Sequence, residues 1–258
     1  AWRVGLQAYF SQLCVWQEID KSTILSLTYI MLTPERLFVR YYPIFLKVEN
    51  RSCLVVGGGE VGARKVETLL SCGASVGVVS PEVVPWLEEE IQKGTVELVG
   101  SHYDEDQLQG RFLVIAATDD MGLNCRIARD AEQRRILCNV VDYPKEGDFI
   151  LPALVQRGAL TLAVSTAGKS PALARELRQD LEQRFGMEYA HFLELMGAVR
   201  SRVLEESQDF RANKEKFDQL VKSELLELVR RRDYEGVDRL LRTVLGSGYS
   251  LQGLEISW

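Results

Sequence analysis

The chain of 258 residues carries 31 lysines and arginines against 37 aspartates and glutamates, a net charge of -6, with 46% hydrophobic and 26% charged residues. This is the composition of a globular protein with room for one large or two modest domains and a sizeable core. Acid and base are interspersed and no long basic run occurs, which argues against a nucleic-acid partner but leaves room for a polyanionic small molecule in a local basic or N–H-lined pocket.

Residues 1–40 match no recognisable pattern and are read as an unassigned N-terminal extension. Their apolar run from Ile24 to Leu32 is too short to span a bilayer. It lacks a basic start and a small-residue cleavage site, so it does not read as a signal peptide, and the expected location is the cytoplasm with no membrane partner. The first residue is Ala, which makes Met31 one candidate for the true start.

From Tyr41 the pattern sharpens. Residues 51–56 form a short apolar run ending in glycines, as a buried parallel strand does. Residues 61–72 carry apolar side chains at helical spacing, and Gly73 supplies the stop. Residues 75–79 read as a second strand, and Ser80-Pro81-Glu82 as a capped, proline-started helix. Strands follow at 95–99 and 112–117, a helix at 121–134 and a fifth strand at 136–141. Strands alternating with helices predict a doubly wound parallel sheet. After Asp142 the pattern changes. Two β-like runs, 150–155 and 160–165, flank Arg157-Gly158 and suggest a hairpin outside the parallel sheet. Residues 171–245 read as helix almost throughout, and 246–258 as a loose tail.

Gly57-Gly58-Gly59-Glu60-Val61-Gly62 matches G-x-G-x-x-G between a strand and a helix, the dinucleotide-binding fingerprint. Gly57 permits the tight turn, Gly59 lets the backbone approach a pyrophosphate, and Gly62 lets the helix pack close to the strand. The pyrophosphate would sit on the helix N-terminus. Pro81 and Glu82 occupy the place of the ribose-binding acid, although Glu82 reads equally as a first-turn helix acid. No Lys or Arg follows to hold a 2′-phosphate, which favours NAD over NADP. Thr118 in Ala116-Ala117-Thr118-Asp119-Asp120 reaches the same carboxyl edge, as a cofactor contact or as a plain turn residue. The five cysteines (14, 53, 72, 125 and 138) are odd in number and form no C-x-x-C pair, so neither a disulfide framework nor a structural zinc is expected. His102 and His191 are too few for a multi-histidine metal site.

Cys138-Asn139-Val140-Val141-Asp142 delivers Asn139 and Asp142 to that edge. A carboxylate beside a nicotinamide can act as general base, and a turn aspartate before Pro144 is the other reading. Ser165-Thr166-Ala167-Gly168-Lys169-Ser170-Pro171 then enters a helix. Ser165, Thr166, Gly168, Lys169 and Ser170 make an anion cradle for substrate carboxylates, or an ordinary capped helix start.

Taken in order with Tyr42-Pro43-Ile44-Phe45-Leu46, these motifs resemble the precorrin-2 dehydrogenase and sirohydrochlorin ferrochelatase family, including the N-terminal module of multifunctional siroheme synthases. The resemblance covers residues 41–245. It implies an NAD-binding Rossmann domain (41–147), a small β dimerisation segment (148–170) and a helical domain (171–258). It implies NAD-dependent oxidation of precorrin-2 to sirohydrochlorin, with Fe2+ insertion to siroheme in some members. It also implies a homodimer that exchanges its middle segment between subunits. The family's key aspartate falls on Asp142, its NAD contacts on Gly57 to Gly62 and near Pro81 and Glu82. A serine that is phosphorylated in some members falls on Thr166. No permanent metal site is expected, and Asp142 would meet a metal only transiently. The methyltransferase half of multifunctional members is not in this sequence, so another protein is expected to supply precorrin-2. A non-catalytic NAD-sensing module, which would need neither the 165–171 cradle nor the long helical tail, and an unrelated NAD-dependent dehydrogenase remain the alternatives.

Overall fold

The computed structural model describes residues 40–256 and 258. The apolar run 24–32, Met31 and Cys14 lie outside them. Residues up to Leu46 and from Lys47 onward form two separate units. In the first, Arg40 lies over the Tyr41 ring, and Tyr42, Ile44 and Phe45 are exposed.

The second unit begins with β1 (Ser52–Gly58), α1 (Glu60–Ser71), β2 (Ser75–Val83), α2 (Pro85–Gln92), β3 (Val96–Gly100), β4 (Leu113–Ala116), α3 (Met121–Gln133) and β5 (Leu137–Val140). The five strands are parallel, in the order β3-β2-β1-β4-β5. The central strands are buried on both faces, which is why they read as continuous apolar runs rather than as alternation. Val55, Val78 and Ile115 face one cluster with Val66 and Leu69 of α1. Leu54, Val56 and Val114 face the other, with Ile127, Ala128 and Ala131 of α3. The chain winds outward in both directions from β1 and β4, so their carboxyl ends diverge at the point where such sheets bind ligands.

The expected helix start at Ser80 is not formed. β2 continues through Pro81 and Glu82 to Val83, and α2 begins at Pro85 with no side-chain cap at Val84. The Ser80 hydroxyl is engaged across the strand instead of capping a helix. Glu82 is therefore not a first-turn helix acid.

β6 (Ala153–Arg157) and β7 (Leu160–Val164) form a separate antiparallel pair in which Arg157 faces Leu160 across a two-residue turn at Gly158. α4 (Pro171–Arg184) follows with no buried residue. Then α5 (Glu188–Glu206), α6 (Phe210–Lys222), α7 (Leu225–Arg231) and α8 (Tyr234–Leu245) close around Leu195, Val199, Leu220, Leu225, Val237 and Leu241. The expected loose tail is packed: Tyr249 and Leu254 join this core, and the Tyr249 hydroxyl donates to Glu206 Oε2 at 2.6 Å. Single anchors separated by Gly and Ser carry no periodicity, so the sequence pattern misses them.

Candidate active site

The glycine turn is shaped by what each missing Cβ makes possible. Gly57 has φ +114°, and a Cβ there would stand 2.3 Å from the Ala117 carbonyl oxygen. Its bareness brings the end of β1 against the end of β4. A Cβ on Gly62 would stand 1.9 Å from the Gly57 carbonyl oxygen, so only glycine lets α1 start this close to the strand. Gly59 is different: nothing lies within 4 Å of the position its Cβ would take. The open side of the turn is therefore at Gly59.

The first helical backbone bond of α1 runs from Ala63 N–H to the Gly59 carbonyl. The N–H groups of Gly59, Glu60, Val61 and Gly62 thus have no intrahelical partner and carry the positive end of the helix dipole. An open face over such donors fits a pyrophosphate. The Gly58 N–H is not among these donors, because it is buried and donates to Ser80 Oγ at 2.9 Å.

Two other predicted residues are engaged within the protein. The Thr118 hydroxyl donates to Asn124 Oδ1 at 2.7 Å, and Asn124 Nδ2 donates back to the Thr118 carbonyl at 2.8 Å. Asn124 is 3% exposed. Asp120, not Thr118, caps α3 by accepting from the Leu123 N–H. The Asn139 amide donates to the Phe149 carbonyl at 2.9 Å, which folds residues 147–149 back along β5. Asp148 adds to this by exchanging backbone and side-chain bonds with Cys138.

Asp142 stands exposed on the turn after β5, at φ +62°. Aspartate tolerates this left-handed conformation better than most residues. Lys65, partly buried on α1, shares this neighbourhood. Its pKa is lowered, first by burial and then by Arg64, while the charge of Asp142 acts in the opposite direction. Sequence reasoning missed Lys65, Ser80 and Asn124. Lys65 lies one helical turn past the fingerprint, and the other two look like ordinary capping or surface residues. Burial pushes the Cys53 thiol up to about 11 and the Cys138 thiol up to about 12, so both are inert core residues at neutral pH. Among the described residues no group of three His, Cys, Asp or Glu side chains gathers to hold a metal. No helix among them is long and apolar enough to cross a membrane.

The 165–170 loop keeps its hydrogen bonds to itself and the start of α4. Ser165 Oγ accepts from Ala167 N–H, Thr166 Oγ1 bonds both backbone groups of Ser170, and Ser170 Oγ caps α4 at Leu173 N–H. Ala167 and Gly168 both have positive φ. The Lys169 side chain is exposed. The glycine turn, the end of β2, Thr118 and Asp142 share the carboxyl edge of one sheet, whereas no bond ties this loop to that edge.

A parallel sheet with the fingerprint at its switch point defines a dinucleotide-binding α/β protein. Two family models match successive segments: "Putative NAD(P)-binding" over residues 44–153 and "Sirohaem biosynthesis protein central" over residues 157–184. Siroheme synthase 2 of Yersinia enterocolitica is 40% identical over 163 residues, which are 63% of this chain and 34% of that protein. The siroheme synthase of Methylobacillus flagellatus is 44% identical over 161 residues, 62% of this chain and 34% of that protein. The matched region is thus about a third of the length of these curated relatives. The solved structure of SirC, precorrin-2 dehydrogenase, matches with a TM-score of 0.65 at 25% identity, over 77% of this chain and all of that one. The resemblance to precorrin-2 dehydrogenases and to a module of siroheme synthases therefore holds in both sequence and fold.

Proposed function

We propose that this chain oxidises precorrin-2 to sirohydrochlorin with NAD as cofactor, in the cytoplasm, on a route to siroheme. The observation that carries this reading is the shared edge: the open glycine turn and the Asp142 carboxylate lie at the carboxyl ends of adjacent halves of one sheet. The N–H groups of residues 59–62 would hold the pyrophosphate, and Glu82 at the end of β2 the adenosine ribose. When bound, NAD accepts a hydride. Asp142 takes the proton that leaves the macrocycle, and the fold supplies orientation. Ser165, Thr166, Gly168, Lys169 and Ser170 form the loop proposed to receive substrate carboxylates, through the Lys169 ammonium and the backbone N–H groups of Ser165, Thr166 and Gly168; those of Lys169 and Ser170 are held by Thr166. Fe2+ insertion, with iron as substrate, is proposed to use the same aspartate.

We also read the active form as a homodimer. Both strands of the β6–β7 pair are edges, and exposed edges invite pairing. Leu173 and Leu177 are exposed on α4, a helix that buries nothing in one chain, and Leu151 is exposed just before β6. We propose that a second copy covers this face and that the site is shared between the 165–170 loop of one subunit and the carboxyl edge of the other.

Adding precorrin-2 and NAD to the protein tests the catalytic reading: the visible spectrum should convert to that of sirohydrochlorin. No conversion by a protein that binds NAD would favour the sensing module instead. Light scattering at micromolar concentration should give the mass of a dimer; a monomer would remove the shared-site reading.

A further inference from the structure

We propose that Ser80 is a positioning residue for the dinucleotide, acting through the glycine turn rather than by touching the ligand. This rests on the NAD-binding reading of that turn. Ser80 is 8% exposed at the point where β2 passes the turn. Its Oγ accepts the Gly58 N–H at 2.9 Å, and its hydroxyl proton goes to the Glu82 carbonyl at 2.5 Å. The Val84 N–H closes the other side by donating to the Gly58 carbonyl at 3.0 Å. Gly58 is thus held at both its backbone groups by the extension of β2. The β1–β2 register shifts at this point, so that Gly58 pairs with Val83.

Two consequences follow from these bonds. The Gly58 N–H is turned inward, which leaves the outward donors to residues 59–62 and fixes where the anion cradle begins. The Glu82 backbone is fixed relative to that cradle, so the pyrophosphate site and the ribose acid are set at one distance. The fit has no slack: a Cβ on Gly58 would stand 2.8 Å from Ser80 Oγ and 2.5 Å from the Glu82 carbonyl oxygen. Without the hydroxyl, the buried Gly58 N–H loses its acceptor and the Glu82 carbonyl loses this donor. The cheapest relief is rotation of the 57–58 peptide, which carries that N–H; its Gly57 carbonyl lies against Gly62 at the start of α1, so the rotation misaims the cradle.

The test compares Ser80→Ala and Ser80→Thr in the full chain by calorimetric titration with NAD, after the wild-type affinity is established. Ser80→Ala should weaken NAD binding about tenfold, equivalent to about 1.4 kcal/mol. Its kcat at saturating NAD should stay near wild type, so the loss appears in KM for NAD. Ser80→Thr keeps the hydroxyl and should bind within about twofold of wild type, well inside the tenfold step of 1.4 kcal/mol. If Ser80→Ala does not fold, Ser80→Cys takes its place. Its weak S–H donor keeps the volume, and the expected loss in affinity is the same in direction. Wild-type affinity in a folded Ala or Cys variant overturns the proposal, as does Ser80→Thr binding as weakly as Ser80→Ala. A lowered melting temperature with unchanged NAD affinity assigns Ser80 to stability alone, which also overturns it. A wild-type protein that fails to bind NAD overturns the NAD reading itself, which is a separate result.

Discussion

Asn124 reaches back six residues to clasp Thr118, accepting its hydroxyl and donating to its carbonyl. The pair locks the turn between β4 and α3, whose start faces the glycine turn through Ala117 and Gly57. Asn124→Ala should leave the Thr118 carbonyl without its partner, at a cost of about 1–3 kcal/mol. For a protein of this size each kcal/mol lowers the melting temperature by about 2–4 °C. NAD affinity should fall with it. An unchanged melting temperature would show that the turn holds itself.

Gly59 and Gly62 separate binding from folding. At Gly59 a side chain enters open space, so Gly59→Asp should fold but place a negative charge in the anion cradle. NAD binding should fall at least about tenfold, or about 1.4 kcal/mol. Gly62→Ala drives a methyl into the Gly57 carbonyl and should compromise folding itself. Circular dichroism together with NAD titration distinguishes the two. A folded Gly59→Asp with wild-type affinity would falsify the assignment of the cradle.

Lys169 offers an exposed charge on a loop whose hydroxyls are already engaged. Lys169→Ala should raise the apparent KM for precorrin-2 and leave NAD affinity unchanged. If NAD binding weakens instead, the loop serves the cofactor and the substrate lies elsewhere.

Tyr249 pins the C-terminal segment to α5 through Glu206. Burial, and then the hydrogen bond to Glu206, push the Tyr249 hydroxyl up to about 12. A folded-state pKa above the unfolded value of about 10 gives stability that is complete below pH 10 and is lost as pH rises toward 12. The bonds from Tyr249 and then Arg202 hold the Glu206 carboxyl below its ordinary value. That contribution is present at neutral pH and is lost as pH falls below the usual carboxylate range. Tyr249→Phe should therefore flatten the pH dependence of denaturant midpoints at both ends. Identical profiles for the two proteins would show that the tail is held by packing alone.

The central strands were legible because burial on both faces leaves uninterrupted apolar runs, and the fingerprint because glycine alone meets its steric demands. The end of β2 was misread since Ser-Pro-Glu is also how helices begin. Only the third dimension shows Ser80 turned toward Gly58, 22 residues away. Asn124 and Lys65 were missed for a similar reason: an Asn inside a helix and a Lys beside an Arg carry no signal of the partner that gives them meaning. The tail was misread because Tyr249 and Leu254 are isolated anchors rather than a periodic face.

Asp142 carries the proton transfer in the proposed function, and its backbone dictates the variant that tests it. At φ +62° an alanine is strained by about 1–2 kcal/mol, so Asp142→Ala mixes a backbone effect with loss of the carboxylate. Asparagine tolerates the same conformation, so Asp142→Asn removes basicity and charge while keeping the turn. Asp142→Asn should keep the wild-type melting temperature and NAD affinity, and lose precorrin-2 oxidation by about 100-fold or more, the scale of general-base catalysis. The partly buried Lys65 ammonium, which feels the charge of Asp142, should respond as well. Removing that charge takes away the influence that raises its pKa, so Lys65 should titrate lower in Asp142→Asn, as read by NMR of the labelled lysine. Chelation makes the second demand on the same carboxylate, because metal insertion releases two pyrrole protons and needs a transient ligand for the ion. Supplying sirohydrochlorin and Co2+ without NAD isolates that step. Where the wild type inserts metal, Asp142→Asn should not. Full chelation by the variant would separate the two activities and leave Asp142 to the oxidation alone.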